Sequence, residues 1–200
     1  MESKNKGLLA YILVCILWGS TYLAIRIGVH SFPPFLFGGF RYLTAGLLIL
    51  LYGYIKKLEF PKDKRDYIKI SIAGLLMLGL SNSLILFSEM RINSSTAALL
   101  VATVPIFIAI IEQFIPGGSR ISLFGWFGMF IGFAGVGILL LSGGSLDTDT
   151  LGIILVLLAS LAWAAGSICS KRTVAGGSII IHISVQMLAG GLAQTFMGIV

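Results

Sequence analysis

Seven apolar stretches, separated by short polar gaps, fill nearly the whole chain. We number them spans 1 to 7, and they lie near residues 8–29, 34–55, 68–89, 95–115, 121–141, 152–173 and 178–200. A helix rises about 1.5 Å per residue, so roughly 20 apolar residues cross about 30 Å of hydrocarbon. The pattern therefore predicts an all-α fold, a polytopic bundle of membrane-spanning helices.

The composition agrees with this pattern. Hydrophobic residues make up 57% and charged residues 11% of the chain, whereas soluble domains carry about 25% charged residues. No separate water-soluble domain is expected. Span 1 is full length and has no small-residue cleavage site behind a short hydrophobic core, so we expect it to stay in the protein rather than be removed as a signal peptide.

The basic residues gather in every second gap between spans. Eleven of the 14 belong to one side: Lys4, Lys6, Lys56, Lys57, Lys62, Lys64, Arg65, Lys69, Arg120, Lys171 and Arg172. The other side holds Arg26, Arg41 and Arg91, together with the acidic loop 143–150. Short cytoplasmic loops carry the excess of Lys and Arg, so the N-terminus is predicted to be cytoplasmic. The net charge of +6 is then explained by loops that face the lipid bilayer and its anionic headgroups, and no nucleic-acid partner is expected.

The sequence contains few residues in patterns that are typical of enzymes. Cys15 and Cys169 lie inside predicted helices at a spacing that suggests neither a metal site nor a disulfide framework. No Ser/His/Asp order, histidine-rich metal motif or glycine-rich phosphate loop is present. We therefore predict no catalytic residues, no metal and no cofactor.

An internal repeat is visible when the chain is shifted by 145 residues. The shift places Gly7 on Gly152, Leu13 on Leu158, Trp18 on Trp163, Arg26 on Lys171, Leu43 on Leu188, Gly46 on Gly191 and Leu47 on Leu192. A unit of five helices is odd in number, so its second copy would enter the membrane inverted. Residues 1–143 would form the first unit and residues 144–200 the start of the second. Inverted repeats are typical of secondary transporters that bind their substrate near the membrane midplane.

Several segments resemble a known family. The residues Leu17 to Gly28 (LWGSTYLAIRIG), Pro33 to Leu50, and the span 4 to span 5 region are similar to the EamA branch of the drug/metabolite transporter superfamily. The pattern around Asn82, Glu89 and Thr96 to Pro105 is most similar to its YedA-like exporters. The resemblance implies ten helices in two inverted halves that move small metabolites across the inner membrane, usually outward. The chain departs from it at Ser119, where many members have Glu, and ends after span 7, which suggests a fragment or a truncated reading frame.

A polar and aromatic stripe follows one face of span 1. It consists of Tyr11, Cys15, Trp18, Tyr22 and Arg26, at helical spacing. Trp18 and Tyr22 would need partners for their N–H and O–H groups in the apolar centre. Either the stripe lines a solvated cavity or it packs against other helices with an interhelical hydrogen bond. Trp163 would be the counterpart of Trp18 in the second unit.

Charged and amide side chains inside spans 2 and 3 are further candidates. Arg41 lies deep in span 2, and Glu89 at the outer end of span 3 is a plausible partner for Arg41, Arg91 or Arg26. These charges form an outer gate, or Glu89 is a protonatable carboxylate that couples transport, or the charges are a permanent ion pair that orients helices. Asn82, on roughly the same face as Glu89, could reach a substrate or bond to neighbouring backbone.

Spans 4 and 5 contain features that concern helix shape. Pro105 removes the N–H that would bond to Val101, so span 4 should kink or loosen, either as a hinge beside a cavity or as a mere bend. Glu112, near the cytoplasmic end, is expected in the headgroup region and free to meet Arg120. Span 5 carries a glycine face suited to close helix approach, for example between the subunits of a homodimer: Gly125, Gly128, Gly132 and Gly135.

The sequence thus predicts a secondary transporter that exports a small-molecule substrate, amino-acid-like or drug-like, by alternating access. Its substrate-binding residues would be Trp18, Tyr22, Arg41, Asn82, Glu89 and Trp163, with Pro105 as a hinge. The alternative is a non-transporting membrane scaffold or an inactive truncated fragment.

Overall fold

The structure, a computed structural model, describes residues 7–9, 11–17, 19, 20, 28, 32–142, 149–173 and 176–199. Spans 2 and 3 are the helices Pro34–Ile55 and Lys64–Glu89, and span 4 is Ser94–Phe114. Span 5 is Leu123–Ser142, span 6 is Thr150–Arg172 and span 7 is Ile179–Ile199. Trp18, Tyr22 and Arg26 lie outside the described residues.

Five of these helices are long and apolar enough to cross a membrane, namely spans 2, 3, 4, 6 and 7. Two shorter apolar helical stretches, Gly7–Leu17 and Leu123–Gly135, fall in the predicted spans 1 and 5. The prediction of an all-α, polytopic membrane bundle is confirmed.

Two spans are not continuous α-helices. Span 3 runs as an α-helix over Lys64–Gly74, as a π-helix over Leu75–Ser81 and again as an α-helix over Asn82–Glu89. Span 4 is divided into the helices Ser94–Val101 and Val104–Phe114. Both interruptions fall near the middle of a membrane-spanning segment.

Spans 2 and 7 pack against each other through glycines. The side chain of Leu188 lies 3.1 Å from the place where a β-carbon on Gly46 would stand, and the Leu43 side chain lies 3.0 Å from that place on Gly191. Near the two ends of the pair, Leu36 covers Gly198 and Ile181 covers Gly53 in the same manner. A missing β-carbon lets helix backbones approach closely, which is how helices associate in lipid.

Span 3 lies between spans 6 and 7. Its π-helix contacts Gly166 of span 6 through Leu76 and Met77, and Gly190 of span 7 through Leu78 and Gly79. At one end of the bundle, Ile92 after span 3 lies against Gly152 of span 6. Spans 3 and 6 therefore run antiparallel, with a common seam from Ile92 to Met77.

The loops group at two ends, as the charge pattern predicts. The loop after span 2 meets the loop after span 6, because Ser178 N donates to Glu59 O at 2.8 Å. Arg172 at the end of span 6 donates to Pro116 O in the loop after span 4 at 3.1 Å. We call this the basic end, and the end that holds Arg91 and Asp149 the acidic-loop end.

The glycine face of span 5 is not covered within the described part of the chain. A β-carbon on Gly128, Gly132 or Gly135 would meet no atom of the described residues within 4 Å. The close helix approach expected at this face is thus absent from the packing among the described spans. A homodimer contact there stays a prediction.

Candidate functional site

The π-helix of span 3 places an amide in the middle of the bundle. Asn82 is buried, and its Nδ2 donates to Met77 O at 3.0 Å, five residues earlier. In an α-helix the residue four positions on donates to that carbonyl, so the wider π turn redirects backbone groups inside the membrane. The sequence left two roles open for Asn82, a contact with substrate or a hydrogen bond to neighbouring backbone. The hydrogen bond to Met77 O is the second of these.

A second amide meets the same π-helix from span 7. Gln194 is 0% exposed, and its Nε2 donates to Leu78 O at 2.9 Å. Its Oε1 is buried without a hydrogen-bond partner among the described residues and lies against Gly38 of span 2. Gln194 therefore joins spans 2, 3 and 7 through one side chain.

Two serine hydroxyls, one in span 3 and one in span 6, are also buried without a described hydrogen-bond partner. These are Ser81 Oγ at the end of the π-helix and Ser160 Oγ in span 6. Buried polar atoms in a low-dielectric interior are costly unless satisfied, so unsatisfied ones call for water or a ligand group. Together with Gln194 they mark a polar layer around the π-helix.

The structure also describes three other residues that the sequence predicts to bind substrate: Arg41, Glu89 and Trp163. The Arg41 guanidinium donates from Nη2 to Tyr42 Oη at 2.8 Å and lies 4.6 Å from the centre of the Tyr42 ring. Glu89 is the last residue of the helix Asn82–Glu89, and both of its carboxylate oxygens are buried. Trp163 is half-buried on span 6, between Gly152 and Gly166 in the sequence.

Span 4 breaks just before Pro105, as the missing N–H predicts. Ala102 N donates to Leu99 O at 3.1 Å and Thr103 N to Leu100 O at 3.0 Å, and the helix restarts at Val104. An apolar cavity of about 320 Å³ opens beside the break. Residues of spans 4, 5 and 6 line it, among them Thr103, Phe107, Trp126, Phe130, Phe133 and Leu157.

An ion pair at the acidic-loop end holds the start of span 6. Arg91 Nη1 lies 3.1 Å from Asp149 Oδ2, while Asp149 Oδ1 accepts from Leu151 N and Gly152 N and so caps span 6. The Gly152 N–H and the Arg91 guanidinium hold the pKa of the Asp149 carboxyl below its ordinary value. Arg91, one of the three partners expected for Glu89, pairs with Asp149.

A second ion pair at the basic end holds the end of span 6. Glu112 is 4% exposed, and its carboxylate accepts from Lys171 Nζ at 2.9 Å. The same carboxylate accepts from Ser119 N and Ser119 Oγ, each at 2.6 Å. The expectation that Glu112 meets Arg120 is therefore wrong, because the chain folds back through Ser119 and the carboxylate pairs with Lys171.

Sequence reasoning missed the π-helix, Gln194, Ser160 and the Glu112–Lys171 pair. For Gln194 the sequence held a usable signal, namely a glutamine within an apolar span, because polar groups in membrane helices face the bundle interior. The described residues contain no group of three or more His, Cys, Asp and Glu side chains that could hold a metal ion.

Comparison with known proteins decides the family. A sequence model of the EamA-like transporter family matches residues 5–141. The chain belongs to the EamA-like transporter family. This match covers the predicted spans 1 to 5. It agrees with the resemblance of the sequence motifs in these spans to the same family.

Two curated relatives match most of the chain. The uncharacterized inner membrane transporter YedA of Escherichia coli (strain K12) is 36% identical over 192 residues, covering 96% of this chain and 59% of the relative. The uncharacterized transporter YoaV of Bacillus subtilis (strain 168) is 31% identical over 173 residues, covering 83% of this chain and 57% of the relative. The chain thus spans under two thirds of the length of these relatives. No solved structure shows a significant match.

Proposed function

We propose that this chain forms part of a secondary transporter that moves a small molecule across the inner membrane by alternating access. The N-terminus would be cytoplasmic, so that the basic end faces the cytoplasm. We propose export as the direction of transport, as the resemblance to YedA-like exporters implies. Membership of the EamA-like family supports transport in general terms. The substrate would be a metabolite, amino-acid-like or drug-like.

The observation that carries this proposal is the reciprocal packing of spans 2 and 7. The shift of 145 residues relates Leu43 to Leu188 and Gly46 to Gly191. Leu43 packs on Gly191, and Leu188 packs on Gly46. Elements related by a two-fold axis make such exchanged contacts, in which residue i meets the copy of j and j meets the copy of i.

The ends of the same helix pair repeat this exchange. The shift relates Leu36 to Ile181 and Gly53 to Gly198. Leu36 covers Gly198, and Ile181 covers Gly53. All four contacts follow one antiparallel register, and each places a glycine of one helix against a Leu or Ile of the other. This supports a pseudo-two-fold axis in the membrane plane between spans 2 and 7, which is the arrangement of inverted-repeat transporters.

The substrate pathway in this proposal runs beside the π-helix of span 3. The proposed binding residues are Trp18, Tyr22, Arg41, Asn82, Glu89 and Trp163, with Pro105 as the hinge of span 4. Three observations support a polar pathway there: the π-helix, the buried hydroxyls of Ser81 and Ser160, and the unpartnered Gln194 Oε1. π-Helical turns inside α-helices are frequent at functional sites.

Metabolite export from cells tests the proposal. Medium from cells that overexpress the protein should accumulate a compound that cells with Tyr22→Phe or Trp163→Ala release about tenfold more slowly. Losing one contact to a substrate costs about 1 to 3 kcal/mol, and 1.4 kcal/mol is tenfold. Phe127→Ala is the matched control, because Phe127 is 61% exposed on span 5.

Membrane-inserted protein is quantified for each variant by size-exclusion chromatography of a fluorescent fusion. Loss of folded protein in parallel with loss of export would place the two rings in the packing core. No exported compound with the unaltered protein, and no flux in proteoliposomes, would favour the membrane scaffold.

A further inference from the structure

Span 6 is tied to spans 3 and 4 by one ion pair near each membrane surface. Lys171 at its end pairs with Glu112 of span 4 at 2.9 Å. Asp149 at its start pairs with Arg91, which follows span 3, at 3.1 Å. We call these the basic-end pair and the acidic-loop pair.

Both pairs share one arrangement. The acidic partner keeps two further hydrogen bonds from its own neighbourhood: Glu112 from Ser119 N and Oγ, and Asp149 from Leu151 N and Gly152 N. The basic partners are open to water, with side-chain exposures of 64% for Lys171 and 46% for Arg91.

This arrangement lowers the cost of separating each pair. Breaking a buried ion pair is costly when it leaves a charge without hydrogen bonds. Here the carboxylate would retain two donors, and the exposed cation would be hydrated as soon as it moves away. A permanent structural tie needs neither feature.

The pairs also join the two proposed repeat units, which is where this inference rests on the proposed function. Arg91 and Glu112 belong to residues 1–143, and Asp149 and Lys171 belong to residues 144–200. Rocking of one unit against the other would therefore separate the partners at one membrane surface at a time.

We propose that Glu112–Lys171 and Arg91–Asp149 are a pair of releasable latches, one for each side of the transporter. Release of the basic-end pair opens the pathway to the basic side, and release of the acidic-loop pair opens it to the other side. Ser119 is a positioning residue in the basic-end latch, because its two hydrogen bonds hold the Glu112 carboxylate towards Lys171.

Labelling of buried reporter cysteines tests the latches. In a background with Cys15→Ala and Cys169→Ala, Ile168→Cys reports on the basic half of span 6, where Ile168 is 5% exposed. Val156→Cys reports on the other half, where Val156 packs with Ile92 and Ala97. A maleimide is added to permeabilised membranes, so that both surfaces meet the reagent.

Lys171→Met should raise the labelling rate at Ile168→Cys by about three- to tenfold, the scale of a partly exposed ion pair, and leave Val156→Cys unchanged or slower. Arg91→Met should do the reverse. Lys171→Arg should restore the original rate at Ile168→Cys. Lys69→Met is the matched control, because Lys69 is 55% exposed and pairs with Asp66 of its own helix, at 4.0 Å.

Faster labelling at both reporters in Lys171→Met would show that the basic-end pair is a structural tie whose loss loosens the whole bundle. Unchanged labelling at both reporters would show that the pair does not keep the pathway closed. Either result overturns the proposal. The readout needs no substrate. Side-specific labelling without any measurable transport would therefore contradict the proposed function alone. Transport without side-specific labelling would contradict the latch proposal alone.

Discussion

At the scale of single residues, several hydroxyl groups in the spans are satisfied by their own helix. Ser83 Oγ donates to Gly79 O at 2.6 Å, Ser88 Oγ to Ile85 O at 2.8 Å, and Ser184 Oγ to Ile181 O at 2.8 Å. Such bonds to a carbonyl one turn earlier are the usual fate of Ser in membrane helices. A polar residue in a span is thus a weak sign of a substrate contact, and buried groups that lack this local bond are the stronger one.

Glu89 is the residue whose chemistry can be tested most directly. If it couples proton entry to substrate exit, Glu89→Gln should abolish uphill export and preserve downhill exchange, because the amide keeps shape and hydrogen bonding but cannot cycle a proton. The measurement is flux driven by a pH gradient in proteoliposomes. Glu59→Gln, an exposed-loop acid at the basic end, is the matched control.

Gradient-driven export that persists unchanged in Glu89→Gln would leave this residue with an orienting role only. Loss of both uphill export and downhill exchange would instead point to a role in substrate binding or folding.

At the scale of elements, spans 3 and 4 are both interrupted near mid-membrane, but for different reasons. Pro105 explains the break in span 4 through its missing N–H. The π-helix Leu75–Ser81 contains no proline, and its wide turn coincides with Gly79 and with the Asn82 amide that bonds to Met77 O. Both interruptions give the helices that flank the proposed pathway a place to bend.

The glycines between spans 2 and 7 allow a prediction about stability. Gly191→Ala should lower the stability of the detergent-solubilised protein by about 1 to 3 kcal/mol, the usual cost of overpacking, because a β-carbon there would meet Leu43 N at 2.9 Å. The measurement is thermal unfolding followed by tryptophan fluorescence.

Gly132→Ala is the control for this experiment, since nothing described lies within 4 Å of its β-carbon position. It should leave stability unchanged or raise it by up to about 1 kcal/mol through better helix propensity. Equal destabilisation by both variants would mean that the glycine face of span 5 is packed as tightly as that of span 7.

At the scale of the whole molecule, the orientation in the membrane is the first property to measure. A reporter fused after Lys64 should read cytoplasmic and one fused after Asp147 should read external, because eleven of the 14 basic residues belong to the side of Lys64. Alkaline phosphatase and green fluorescent protein serve as paired reporters. An identical location for both fusions would contradict the five-helix unit and the transporter proposal with it.

The membrane spans, the grouping of loops and the break at Pro105 were predictable from the sequence, because apolar length, loop charge and a missing N–H act locally. The pairing of Glu112 with Lys171 was not, since these residues are 59 positions apart and a helical period does not set the register between two helices. The same holds for Gln194, whose contact with Leu78 depends on how span 7 is rotated against span 3. The predicted binding residues stay predictions.

The contact between spans 2 and 7 also has a consequence for how the protein is made. Residues that meet across this contact, such as Gly46 and Leu188, are separated by nearly the whole length of six spans. At about 5 to 20 residues per second, a ribosome needs roughly 7 to 30 seconds to add the 145 residues between equivalent positions of the two helices. Throughout that interval the glycine face of span 2 is inserted without its partner. The contact between spans 2 and 7 therefore forms only when span 7 enters the bilayer and displaces whatever lipid or insertion factor has occupied that face.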